Sequence, residues 1–129
     1  MRCRALKGQT GQNIVTVLAN ERGCGLQQAV VDAVAMRDRM MCLFLRLSDR
    51  LLPGASVELR SYLSDLGHLL RGNIEWSMRV PRYNSLGSAD QPPGRTATMF
   101  PGWADQPADG SLEPLPLPAI AWWWNQLDS

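Results

Sequence analysis

Between Leu26 and Leu52 the chain carries an apolar ladder that only one kind of structure can use. Leu26, Val30, Ala33, Arg37, Met40, Phe44, Leu47 and Leu51 recur at alternating steps of four and three, and Arg37 is the only polar rung. A strand would need a period of two, so the ladder predicts one long amphipathic helix. Val31, Val34, Leu45 and Leu52 add a second apolar face. A helix apolar on two faces needs neighbours on two sides, so the chain must be built from several helices.

The flanking sequence marks where this helix starts and stops. Arg22-Gly23-Cys24-Gly25 precedes it, and a glycine there can take the left-handed conformation that closes a helix. An earlier helix is therefore expected from about Gln12 to Glu21, with Ile14, Val17 and Leu18 on one face. Pro53-Gly54 ends the long helix. Ser56 then offers an N-cap, with Glu58 in the first turn, where the helix dipole favours an anion. A third helix follows from Val57 to about Val80, stopped by Pro81, which pushes the residue before it out of the α region. At 1.5 Å per residue it spans roughly 35 Å. It carries two stripes: Leu59, Leu63, Leu66 and Leu70, and Tyr62, Leu66, Leu69, Asn73 and Trp76.

Beyond Asn84 the composition changes, with seven of the nine prolines in the remainder of the chain. Ala89-Asp90-Gln91-Pro92 recurs as Ala104-Asp105-Gln106-Pro107. Such sequence predicts a Pro-rich, mostly disordered and flexible tail over residues 84–129, following a helical part over residues 1–83. Trp122, Trp123 and Trp124 are the exception in it. They either dock on the helices or stay unstructured with the tail, and the composition favours the second.

Charge and cysteines narrow the function classes. Residues 1–83 hold 12 Lys or Arg against 7 Asp or Glu, whereas residues 84–129 hold 1 against 5. The basic part suits an anionic ligand, but it lacks the dense cationic runs with interleaved aromatics of a nucleic-acid binder. Cys3, Cys24 and Cys42 are odd in number and lack C-x-x-C spacing, which argues against a disulfide framework or a structural zinc. A cytoplasmic location is expected. No secretory leader is visible at the N-terminus, and no apolar run is long enough for a membrane span.

The residues best suited to chemistry lie where the third helix ends. Arg82 offers a planar fork of donors that matches phosphate oxygens, and the Tyr83 phenol adds one more donor. Trp76, two turns back, carries an indole face able to stabilise a carbocation. His68 has no carboxylate or cysteine partner at catalytic spacing, and the glycines at 8, 11, 23 and 25 form no phosphate-binding fingerprint.

Together these residues carry a resemblance. Gly72-Asn73-Ile74-Glu75-Trp76-Ser77 followed by Pro81-Arg82-Tyr83 resembles the last core helix and terminal Arg-Tyr pair of bacterial class I terpene cyclases. The similarity continues through Leu66-Gly67-His68, Asn13 to Leu18 and Glu21 to Ala29, so it covers about residues 8–83. It implies an all-α bundle, here three antiparallel helices of it, around an apolar cavity. It also implies a lyase that binds an isoprenyl diphosphate through three magnesium ions, expels diphosphate and steers the cation through cyclisation. Farnesyl diphosphate is the expected substrate of the parent enzyme. By the resemblance, Arg82 and Tyr83 bind the diphosphate and Trp76 acts in catalysis by stabilising a cation.

The departure from the family pattern is equally specific. The family holds its metals with an aspartate-rich DDxxD-type sequence and an Asn/Ser/Glu triad, and no Asp-Asp pair occurs anywhere in these 129 residues. Asn13 and Glu21 stand at the outer spacing of the triad, but Val17 occupies the hydroxyl position between them. Hard divalent cations need converging oxygen ligands. The sequence therefore predicts a C-terminal fragment of a cyclase with no metal ligands of its own, inactive alone. The alternative is a non-catalytic helical remnant acting in self-association or protein interaction.

Overall fold

A computed structural model describes residues 13–79 and 104–128. The described residues form helices and turns, with no strand among them, so the chain is all-α. Helix α1 is Ile14–Arg22, α2 is Leu26–Leu51 and α3 is Val57–Arg79. A short helix α4, Pro118–Ala121, leads directly into a 3₁₀ helix, Trp122–Leu127.

Each terminus has a local cause. Asn13 caps α1 reciprocally: its Oδ1 accepts from the Thr16 N–H at 3.0 Å, and the Thr16 hydroxyl accepts from the Asn13 N–H at 3.2 Å. Two of the helix's otherwise unpaired N–H groups are thereby satisfied. Gly23 closes α1 in the left-handed conformation at φ +61°, its N–H donating to the Ala19 carbonyl. Without a Cβ this conformation is unstrained. Past α2, Leu52–Gly54 tightens into one 3₁₀ turn. The Ser56 hydroxyl then accepts from the Leu59 N–H at 3.2 Å. The Glu58 carboxyl is held below its usual range by its own backbone N–H first, and then by a hydrogen bond from the Ser56 side chain.

Two compact units result, Met1–Arg50 with Asp105–Ser129, and Leu51–Ala104. In the first, the α1–α2 corner is clipped by Asp32, which accepts from Arg22 at 2.5 Å and from the Gln28 amide at 2.9 Å. These donors, Gln28 first, lower the Asp32 carboxyl below its ordinary value. Leu18 and Ala29 are buried near this corner. The main core lies further along α2, where Leu43 meets Leu115 and Trp124, with Met36, Met40, Leu47, Ile120 and Leu127 packed around them.

That core corrects an expectation. The segment after Asn84 reads as a mostly disordered tail, yet residues 105–128 pack on α2 and supply two of the three buried residues of this core. The physical reason is that α2 has an apolar face which the proline-rich segment covers with only two short helical pieces of its own. Trp124 is 3% exposed, so of the two fates open to the tryptophan cluster, docking is the one adopted. Residues 84–103 lie outside the described residues.

The second unit is carried by α3. Leu59, Leu63 and Leu66 are half-buried, while Val57, Tyr62, Leu69 and Trp76 stand exposed.

Candidate active site

The C-terminal half of α3 brings together the one site residue that the structure describes and its surroundings. Leu69, Leu70, Gly72, Asn73 and Trp76 line a shallow, mainly apolar groove on the helix surface. The spacing explains the grouping: positions 69, 73 and 76 fall on one face at steps of four and three, and Gly72 leaves room beside them by lacking a side chain. The Trp76 indole is 55% exposed.

Polar groups near the groove are tied into the helix itself. Arg71 donates from Nε to Glu75 Oε1 at 2.9 Å, an i, i+4 ion pair of the favourable kind but with both partners accessible. Such exposed pairs contribute only about 0.3–0.5 kcal/mol. The Ser77 hydroxyl donates to the Asn73 carbonyl at 2.8 Å, so this serine completes helix bonding. His68 is exposed on the same helix. Arg82 and Tyr83, the two diphosphate-binding candidates, lie outside the described residues. In sequence, Arg82 follows Trp76 by six residues.

The described residues do not fit a magnesium site. Among them no three or more His, Cys, Asp or Glu side chains come together. Four of their carboxylates are engaged by nearby donors: Asp32 by Arg22 and Gln28, Asp38 by Arg37 and the Ala108 N–H, Asp109 by Arg39, and Glu75 by Arg71. Asn13, which shares the outer spacing of the family's metal triad with Glu21, uses its carbonyl oxygen to cap α1.

A second cluster had no signal in the sequence. Arg39 reaches Asp109, seventy residues later, through Nε at 3.0 Å and Nη2 at 2.8 Å. Its Nη1 donates to the Glu113 and Pro114 carbonyls, each at 3.3 Å. The Ser111 N–H and then the Arg39 guanidinium hold the Asp109 carboxyl below the ordinary aspartate value. An arginine among thirteen basic residues gives no hint of so distant a partner.

Comparison with known proteins places this geometry. No family model matches the chain. The spiroviolene synthase of Streptomyces violens is 44% identical over 126 residues, which make up 97% of this chain and 34% of that enzyme. Bonnadiene synthase of Allokutzneria albata is 38% identical over 113 residues, 88% of this chain and 31% of the enzyme. In structure, the chain is similar to the crystal structure of the SVS_A2 protein from ancestral sequence reconstruction. The TM-score is 0.71 at 44% identity, over 92% of this chain and 30% of that one. The chain thus spans about a third of the length of the relatives it matches, and the match runs well beyond residue 83 into the α2-docked segment.

Proposed function

This chain belongs to the bacterial terpene synthases, and from that premise we propose that residues 1–83 supply the C-terminal helices of a cyclase that ionises and cyclises an isoprenyl diphosphate. The observation that carries the proposal is the apolar groove of α3, open along its length and bounded by the exposed face of Trp76. An apolar wall suits an isoprenyl chain, because it offers no nucleophile to trap a carbocation early. An indole face attracts a cation through its quadrupole, by about 0.5–2 kcal/mol or more as the site is desolvated.

In this scheme Trp76 stabilises a cationic intermediate. Arg82 binds the diphosphate through its fork of N–H donors, and Tyr83 adds a hydroxyl donor. Charge-assisted bonds of this type contribute roughly 1.5–3 kcal/mol each. Magnesium is the cofactor that the resemblance implies, and when bound it would neutralise the leaving diphosphate. No cluster of carboxylates among the described residues is assigned to it. Farnesyl diphosphate is the first substrate to assay and geranylgeranyl diphosphate the second.

A chimaera tests this directly. The matching third of spiroviolene synthase is replaced by this chain, and the product is assayed with both diphosphates and magnesium. Turnover by the chimaera supports the assignment. In it, Arg82→Ala should lower kcat/KM about tenfold or more, whereas Trp76→Ala should redistribute products. A folded chimaera whose kinetics and product spectrum ignore both substitutions would overturn it.

One observation favours the alternative of a helical remnant acting by self-association. Val57, Tyr62, Leu69 and Trp76 expose apolar surface along the whole of α3. Light scattering on the 129-residue chain separates the two readings: the remnant reading needs a defined oligomer, and the cyclase reading does not.

A further inference from the structure

We propose that residues 105–128 act as a latch on α2, one that opens and closes as a unit while α2 remains helical. The contacts are polar at the two ends and apolar in between. At one end Arg39 holds Asp109 and the carbonyls of Glu113 and Pro114, and Asp38 Oδ2 accepts from the Ala108 N–H at 2.7 Å. At the other end Arg50 donates to the carbonyls of Gln126, at 3.2 Å, and Leu127. Arg39 and Arg50 lie about 17 Å apart along the helix, by the α-helical rise. Between them Leu115 and Trp124 plug onto Leu43.

An asymmetry in backbone bonding makes this a latch instead of a merged core. Helix α2 satisfies its own N–H and C=O groups over 26 residues, so it does not need the segment to stay helical. The segment cannot hold itself. Pro107, Pro114, Pro116 and Pro118 remove four backbone donors, and its regular structure is one four-residue helix and one 3₁₀ helix. Short 3₁₀ runs have poor hydrogen-bond geometry and depend on packing. Order in the segment thus follows from α2, and not the reverse. Local opening of such dependent units, below the free energy of global unfolding, is expected physically. Opening presents the methionine-bearing face of α2, Met36, Met40, Leu43 and Leu47, which docking keeps covered.

Hydrogen exchange read by mass spectrometry on the full 129-residue chain decides this. Arg39→Ala removes the clasp, and Asp109→Asn weakens it with little change in volume. In both, amides of residues 105–128 should exchange about tenfold faster than in the parent, as expected for losing a part-exposed, charge-assisted pair. Amides of residues 36–47 should keep their parental rates. Unchanged exchange of the segment in both variants would overturn the proposal. So would equal acceleration of the segment and α2, because the two would then open only together.

Discussion

Replacing Trp124 by phenylalanine should cost little or nothing, whereas alanine at the same place should cost several times more. Trp124 is 3% exposed, against Leu43 and Leu115 at 3% and 4%. Its Nε1 is buried with no hydrogen-bond partner among the described residues. Two terms therefore oppose each other. Truncating a buried aromatic to alanine costs about 3–5 kcal/mol through lost contacts and the cavity left behind. Leaving a buried donor unpaired costs about 1–3 kcal/mol, and either substitution returns that part by removing the donor. For alanine the balance is a loss of about 2 kcal/mol. For phenylalanine the lost apolar area is worth only about 1 kcal/mol at ~25 cal/mol per Å², so the change is neutral or slightly stabilising. Protection of residues 105–128 against hydrogen exchange, with urea unfolding followed by circular dichroism, measures both variants. The reasoning fails if phenylalanine is as damaging as alanine, since the indole N–H would then be contributing a bond.

Other outcomes are expected on independent grounds. Asn13→Ala removes the reciprocal cap of α1 and should destabilise that helix by about 1 kcal/mol, read as faster exchange confined to residues 14–22. Gly23→Ala forces a Cβ into φ +61° and should cost about 1 kcal/mol, although open space surrounds the position; a neutral result would mean that the turn rearranges. Because Asp109 is held below its ordinary value by Ser111 and Arg39, its contribution to docking is fully present above the unfolded aspartate value. That contribution is lost as pH falls through the lower folded value. Exchange protection of residues 105–128, corrected for intrinsic rates, should therefore be flat from neutral pH to about 5 and decline below about pH 4. The 129-residue chain incubated alone with farnesyl or geranylgeranyl diphosphate and magnesium should yield no cyclic product; a metal-dependent product would show that ligands for the metal do exist within it.

Local physics made the three long helices legible in the sequence. The 26–52 ladder, Gly23, Pro53-Gly54 and Ser56 place their ends to within a residue or two of Ile14–Arg22, Leu26–Leu51 and Val57–Arg79, because periodicity, caps and breakers act over one or two turns. The groove residues Leu69, Asn73 and Trp76 were legible for the same reason, as one stripe of one helix. The fate of residues 104–128 was not. Its determinants are pairs such as Arg39 with Asp109 and Leu43 with Trp124, separated by 70 and 81 residues, and no local pattern encodes them. The tryptophan run shows why composition misled. A 3₁₀ helix turns about 120° per residue, so three consecutive indoles point three ways. Trp124 enters the core, while Trp122 and Trp123 remain 55% and 38% exposed, edge to face at 6.4 Å. Which of the three turns inward was decided by the apolar face of α2, and only the tertiary structure brings that face to them.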